Sequence, residues 1–274
     1  MSFFKLIRPF NCLFIALTVL FGAFYRNEIF FSFPVIFAVL SAVMIGGGGY
    51  AVNDYFDYPI DKINKPHRVL PSGKIKPKTA FMFASFLFVF GIAFSFFTGN
   101  IFCVIIAILN SLFLFYYGRY YKMKFLSGNL IVAFTAASAF VYGGFSNHNV
   151  RNSFIIAIFS FLYTIIREFI KDAEDIAGDV RFRAETLAVK FGPKKTVVFS
   201  IIPTVFIIMF MNYLFYSGII SSKLFMILNL LGTIPLIFFI IYLLKNPKKK
   251  SFSRISVFMK VDMLALLFSF WFEN

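Results

Sequence analysis

Nine of the twelve acidic residues of this 274-residue chain fall in two short windows. The first reads Asn53-Asp54-Tyr55-Phe56-Asp57-Tyr58-Pro59-Ile60-Asp61; the second holds Glu168, Asp172, Glu174, Asp175 and Asp179, with Glu185 close behind. Asp54, Asp57 and Asp61 recur at three- and four-residue intervals, as do Asp172, Asp175 and Asp179, with Glu168 one turn earlier. On helices each set shares one face, with Asn53 beside the first. Two all-oxygen stripes aimed at one cavity would repel without cations, and hard divalent ions suit such donors. Mg²⁺ is preferred, because it keeps waters and binds through a few carboxylates plus substrate phosphates.

Basic residues crowd the same places. Lys62, Lys65, Arg68, Lys74, Lys76 and Lys78 follow the first window, Arg119, Lys122 and Lys124 form a separate group, and Arg167, Lys171, Arg181 and Arg183 surround the second window. Mutual neutralisation is one reading. The other is a single anionic ligand, a diphosphate, contacting metal on some oxygens and Lys or Arg on others. Most of these bases set topology or meet anionic headgroups; Arg68, Lys122, Arg167 and Lys171 are the ones expected to reach ligand. A proton relay or cation transporter would instead place its charges near mid-span.

The elements that must carry these residues are membrane helices. The chain is 60% apolar with a mean hydropathy of +0.83, against roughly 45–50% apolar in soluble domains. Apolar stretches long enough to span a bilayer recur at 11–26, 32–54, 79–98, 101–118, 127–146, 152–172, 196–216, 223–244 and 254–272. The expected architecture is therefore an all-α polytopic membrane protein, a single domain over 1–274 with about nine transmembrane helices bundled around a central cavity. The alternating ten-residue segments of a transmembrane barrel are absent. Of 27 Lys and Arg, only Arg26, Arg151 and Lys223 fall on one side of this scheme; Lys260 lies within the last span and 23 fall on the other side. The positive-inside rule makes that richer side cytoplasmic, carrying the N-terminus and both acidic windows and leaving the C-terminus outside.

Other features are bland by comparison. Cys12 and Cys103 sit singly in apolar segments, as small buried hydrophobes do. His67 and His148 are too few and too far apart for a zinc site. Lys5 and Arg8 before an apolar run mimic a signal peptide, but no small-residue cleavage site follows, and the segment reads as a retained first helix. Most of the 44 Phe are lipid-facing or inter-helix filler. Ala136, Ala137, Ser138, Gly143 and Gly144 suit close helix packing in the fifth span. Gly46–Gly49 permit close backbone approach and Pro59 removes a helical hydrogen bond, so the first window is expected on a kinked or partly unwound helix end. The glycine run lacks the Gly-Lys-Ser/Thr ending of a phosphate-cradling loop. Span six repeats the arrangement of span two, acids then bases, as a weak internal repeat.

The first window, continued by Asn64-Lys65-Pro66-His67-Arg68 and Leu70-Pro71-Ser72-Gly73, resembles the first signature of the UbiA family of intramembrane prenyltransferases. Lys171-Asp172-Ala173-Glu174-Asp175-Ile176-Ala177-Gly178-Asp179, with Thr186-Leu187 beyond, resembles the second, and Arg8-Pro9-Phe10-Asn11 and Gly128-Asn129 match the family's habits. Arg167-Glu168 before the second motif is most similar to the archaeal digeranylgeranylglyceryl phosphate synthases. Val69 stands where the family usually has Pro, and Arg183 where Gly is common.

The resemblance implies Mg²⁺-dependent transfer of a geranylgeranyl group from geranylgeranyl diphosphate to the hydroxyl of geranylgeranylglyceryl phosphate, among membrane lipids and without nucleic acid or an obligatory protein partner. Prenylation of a quinone precursor, haem or chlorin is the alternative within the chemistry; a lipid or ion transporter is the alternative outside it. By the same analogy Asn53, Asp54, Asp57, Asp61, Asp172, Asp175 and Asp179 would hold metal. Asp57, Asp61, Asp172, Asp175 and Lys171 would serve catalysis, and Asn11, Asn53, Arg68, Tyr117, Tyr121, Lys122 and Arg167 would bind substrate.

Overall fold

The computed structural model describes residues 2–270, which form helices and turns and, among those residues, no strand. In order these are α1 (Ser2–Leu6), α2 (Pro9–Phe24), α3 (Phe33–Phe56), α4 (Tyr58–Asn64), α5 (Pro77–Phe96), α6 (Ile101–Tyr116), a π-helical turn (Tyr117–Tyr121), α7 (Ser127–Ser146), α8 (Val150–Arg181), α9 (Leu187–Phe199), α10 (Ile201–Tyr216), α11 (Ser222–Leu228), a second π-helical turn (Asn229–Thr233), α12 (Ile234–Lys245) and α13 (Lys249–Ser269). Proline opens α2, α3, α4, α5 and α12 in the first turn, where its missing N–H would have no helical acceptor anyway. In a bilayer every other backbone polar group must be satisfied internally, which is why the apolar stretches are helical throughout.

Seven stretches are long and apolar enough to cross a membrane: Phe33–Phe56, Pro77–Phe96, Ile101–Tyr121, Ser127–Ser146, Val150–Arg181, Leu187–Tyr216 and Ser222–Lys245. Two of the nine expected spans fall short of that standard. At 16 residues α2 is brief for a hydrocarbon core about 30 Å thick, and α13 carries Lys260 and Asp262 inside its apolar run. Residues 271 and 272, the end of the last expected span, lie outside the described residues. The sixth span also runs past its expected end at 172: α8 continues to Arg181 and carries the whole second motif on unbroken helix.

The chain divides into two compact units, Met1–Lys122 with Phe134–Ala157, and Met123–Ala133 with Ile158–Asn274. In the first, helices approach to near-contact of backbones. A Cβ at Gly22 would lie 1.9 Å from the carbonyl oxygen of Phe140, and one at Gly143 would lie 1.9 Å from that of Val19, so α2 and α7 can cross this closely only as glycines. In the glycine run of α3 the close neighbour is a side chain, with a Cβ at Gly49 meeting Leu114 Cδ1 at 2.8 Å. Inter-helix hydrogen bonds add specificity where apolar packing alone has no driving force. Tyr142 donates to Ser41 Oγ at 2.7 Å, Ser41 donates to the Gly91 carbonyl at 2.7 Å, and Asn110 pairs with Ser138 at 2.9 Å.

The second unit has an apolar core joining Ile166 and Ile170 of α8 to Val197, Ile207, Leu236 and Met259. A residue in the left-handed region at Gly192 (φ 80°), followed by Pro193, breaks α9 into two pieces.

Candidate active site

The first acidic motif sits where helix continuity fails. Asp57 caps both α3 and α4, and Pro59 lies in the first turn of α4. The backbone bonds from Asp57 to the Asn53 carbonyl (2.9 Å) and from Asp61 to the Asp57 carbonyl (2.8 Å) persist through the bend. The three aspartates therefore keep a common face, and all three are buried.

Each buried carboxylate is matched by a cation. Arg8 Nη2 donates to Asp54 Oδ1 at 2.6 Å, Arg68 Nη1 to Asp61 Oδ2 at 2.6 Å, and Lys122 Nζ to Asp57 Oδ2 at 2.6 Å. Arg68 also lies 3.6 Å from Asp54 Oδ1, bridging two of the acids. Asn53 Nδ2 donates to Asp57 Oδ2 at 3.0 Å, while Asn53 Oδ1 is buried without any hydrogen-bond partner. An orphaned carbonyl oxygen beside buried carboxylates is a vacant hard-donor position, and its burial costs free energy until something fills it.

Local geometry delivers the cations. The π turn closes with the Lys122 amide donating to the Tyr117 carbonyl at 3.0 Å, an i to i+5 bond that places Lys122 against Asp57. Gly118 lets that turn approach, since a Cβ there would lie 3.2 Å from Phe56 and 3.4 Å from the Asn53 Cα. Tyr117 is half-buried and Tyr121 is 42% exposed. Arg8 reaches Asp54 from a left-handed backbone (φ 54°) just before Pro9, its guanidinium 5.0 Å from the Tyr50 ring centre. Such a conformation is costly for a residue with a Cβ and is held in place by its surroundings. Asn11, in the first turn of α2, makes no side-chain hydrogen bond among the described residues.

The second motif is organised differently. Glu168, Asp172, Asp175 and Asp179 lie on one continuous helix. Asn129 Nδ2 donates to Asp172 Oδ2 at 3.0 Å, and Thr186 Oγ1 donates to Asp179 Oδ2 at 3.0 Å. Arg167 Nη1 donates to the neighbouring Glu168 at 2.9 Å. Asp175 is exposed and Lys171 half-buried. Beyond α8, Arg183 occupies the left-handed region (φ 55°), the backbone shape a glycine adopts freely. The departure from the family's glycine thus leaves the loop in a glycine-like conformation. Glu185 is tied back by its amide to the Met123 carbonyl at 2.7 Å and by Lys124 at 3.4 Å.

Several partners were not legible as site residues in the sequence. Arg8 and Asn129 stand 46 and 43 residues from the acids they hold, Asp54 and Asp172, and Gly118 stands 65 residues from Asn53, which it packs against. Lys260 and Asp262 did carry a signal: charges within an apolar span are expensive and mark function.

Among the described residues no three carboxylate, imidazole or thiol side chains gather tightly enough to chelate a metal ion by themselves. That suits a cation held jointly with a phosphate ligand, as Mg²⁺ commonly is. The arrangement can bind a polyanion through Arg8, Arg68 and Lys122 while the carboxylates and Asn53 Oδ1 turn to a metal.

The model of the UbiA prenyltransferase family matches residues 15–264. The chain belongs to the UbiA prenyltransferase family. It is thus a multi-pass membrane prenyltransferase. It is 34% identical over 266 residues to the digeranylgeranylglyceryl phosphate synthase of Methanosphaera stadtmanae, covering 97% of this chain and 96% of that one. With the protein of the same name from Sulfurisphaera tokodaii it shares 37% identity over 274 residues, at 98% and 96% coverage. A solved structure of digeranylgeranylglyceryl phosphate synthase superposes with TM-score 0.86 at 32% identity, covering 99% and 97% of the two chains. A UbiA homologue from Archaeoglobus fulgidus bound to DMAPP and Mg²⁺ shares the fold, with TM-score 0.74, 15% identity and coverage of 97% and 99%.

Proposed function

We propose that this enzyme transfers the geranylgeranyl group of geranylgeranyl diphosphate to the free hydroxyl of geranylgeranylglyceryl phosphate, forming an ether and releasing diphosphate. The observation that supports this most is the first motif, in which three buried aspartates each hold a cation at 2.6 Å around the unpartnered Asn53 Oδ1. When diphosphate binds there, Arg8, Arg68 and Lys122 move to its phosphate oxygens, and the carboxylates and Asn53 Oδ1 they leave would be free to hold a metal. Asn53, Asp54, Asp57 and Asp61, with Asp172, Asp175 and Asp179 of the second motif, are the residues that would hold Mg²⁺, which supplies charge neutralisation that makes diphosphate a better leaving group.

The chain's own residues do the rest. As the allylic C–O bond breaks, the electron pair stays with diphosphate, and Lys122, Arg68 and Arg8 stabilise the charge developing there. Apolar membrane helices keep water from the allylic cation. The acceptor hydroxyl oxygen forms the new C–O bond, and its proton passes to a carboxylate of the second motif. A strong base is unnecessary when cation formation runs ahead of attack. Arg167 and Lys171 bind the acceptor side, with Tyr117, Tyr121 and Asn11 as lesser substrate contacts. In this reading the two units serve one reaction as a single catalytic domain, with both motifs and the N-terminus cytoplasmic and the C-terminus outside.

The test is incubation of purified protein with labelled geranylgeranyl diphosphate, Mg²⁺ and a panel of acceptors. Label should move to geranylgeranylglyceryl phosphate. Label moving only to aromatic or tetrapyrrole acceptors would reject the ether-lipid assignment, and no diphosphate release with any acceptor would reject prenyl transfer.

A further inference from the structure

One buried hydroxyl on α8 has nothing to bond. Thr164 is 3% exposed, and its Oγ1 has no hydrogen-bond partner. Threonine in a membrane helix commonly satisfies its hydroxyl by donating to the carbonyl four residues back. Thr18, Thr196 and Thr204 do so, at 2.8, 2.9 and 2.8 Å. Thr164 does not, so its hydroxyl forgoes the bond that its own helix offers. A buried polar group left in this way costs free energy until a ligand meets it.

The apolar packing of α8 shows which way Thr164 faces. Ile166 and Ile170 lie in the core formed with α9, α10, α12 and α13, while Ile165 and Phe169 pack with Ala133 and Leu187. At about 100° per residue, the strip on the other side of the helix is centred on Thr164 and carries Arg167, Glu168, Lys171 and Asp175. Thr164 therefore lies on the face of the second motif, one turn before Arg167 and Glu168, towards the apolar half of α8. Arg167 Nε is likewise buried without a partner. Two unfilled polar groups thus stand on one face, about 4.5 Å apart along the helix axis.

A glyceryl ether phosphate presents three kinds of oxygen. Its phosphate is anionic and suits Arg167 and Lys171. Its reacting hydroxyl has to give up a proton near a carboxylate. The ether oxygen, at the joint between head group and chain, is neutral and can only accept a hydrogen bond. A lone hydroxyl at the apolar end of a charged strip matches that oxygen in polarity. The spacing agrees, because the ether oxygen stands a few bonds from the phosphate, the reach of about one helical turn. We infer that Thr164 is a specificity-determining residue whose hydroxyl donates a hydrogen bond to the ether oxygen of the acceptor's glycerol. This rests on the reaction proposed above and adds how an acceptor that already carries one ether-linked chain is recognised.

The experiment uses full-length wild type, T164V and T164S in detergent. Each is given geranylgeranylglyceryl phosphate or an analogue in which a methylene replaces the ether oxygen. With wild type, the KM for the analogue should be about fivefold higher, as loss of one neutral hydrogen bond implies. T164V should raise the KM for the natural acceptor by a similar factor and show no further loss with the analogue. T164S should keep the preference for the ether, and the KM for geranylgeranyl diphosphate should not change in either variant. Without ligand, T164V should melt no lower than wild type, because it removes a buried hydroxyl that has no partner. Binding is read apart from turnover, as thermal stabilisation by each acceptor without prenyl diphosphate: greater for the ether than for the methylene in wild type, equal in T164V. No preference in wild type, a preference retained in T164V, or a clear drop in the melting temperature of ligand-free T164V overturns the inference. An increased KM for geranylgeranyl diphosphate in T164V would place the hydroxyl at the other substrate and also overturns it. The expected difference in stabilisation, found in a wild type that forms no ether bond, would instead overturn the reaction and leave the hydrogen bond standing.

Discussion

The two acidic motifs use the same residue types at the same spacing and solve the problem of buried charge in opposite ways. In the first, every aspartate holds a cation at 2.6 Å. In the second, Asp172 and Asp179 are held by the neutral donors Asn129 and Thr186. Charge balance at the first motif is complete before any ligand binds, so a metal–diphosphate can enter by exchanging partners rather than by burying new net charge. The contrast teaches that one sequence pattern can hold its carboxylates either through ion pairs or through neutral donors.

The largest expected effect breaks the balanced site. Asp57→Ala removes the carboxylate that Lys122 and Asn53 both hold, and turnover should fall about a thousandfold while the protein stays folded in detergent. Asp175→Ala should also cost orders of magnitude, roughly a hundredfold, without loss of fold because the side chain is exposed. Near-normal steady-state turnover in either variant would end the account in which both motifs serve one reaction. Next comes Lys122→Ala, expected to lower kcat by about a hundredfold, as loss of one charge-stabilising donor does. Combined with Asp57→Ala it should cost far less than the two losses multiplied, because the residues act as a unit; multiplicative losses would separate them.

Asn129→Ala probes the neutral side of the comparison. It strips Asp172 of its amide donor, and activity should fall about tenfold, in keeping with the loss of an orienting partner. An effect as large as that of Asp57→Ala would show that the second motif depends on preset partners as strongly as the first. The smallest effect belongs to Arg183→Gly. It relieves a left-handed backbone worth about 1 kcal/mol of strain, so thermal unfolding should shift slightly upward and turnover should not change; a marked loss of activity would give the Arg183 side chain a role that its position does not suggest.

Much of this was legible in the chain itself. Hydropathy marks the fifth span at 127–146, the same residues as α7. Pro59 announces the bend that falls at Asp57, and the small residues of the fifth span announce the close approach at Gly143, where a Cβ would meet the Val19 backbone. Three-and-four spacing puts the acids on common faces, and local hydrogen bonding keeps them there. Features that were hidden depend on long-range contact. Which base meets which acid is a matter of tertiary register: Arg8 closes on Asp54 across 46 residues and Lys122 on Asp57 across 65. The continuation of α8 to Arg181 was hidden for another reason. Its last turns are charged, so hydropathy ends the span while helix propensity does not. At α13 the signal was present, since charges inside an apolar run must be paired or functional, but only the Tyr163 bond shows which partner sets its register.

The central claim is that this chain makes an ether bond at the expense of a prenyl diphosphate. Its most direct test is the stoichiometry of a single reaction mixture containing wild-type protein, geranylgeranyl diphosphate, geranylgeranylglyceryl phosphate and Mg²⁺, with ether lipid measured by mass spectrometry and diphosphate by enzymatic assay. The account predicts one ether formed per diphosphate released, both abolished by EDTA and both restored by added Mg²⁺. Diphosphate released without ether, or ether formed unchanged in the presence of EDTA, would contradict it.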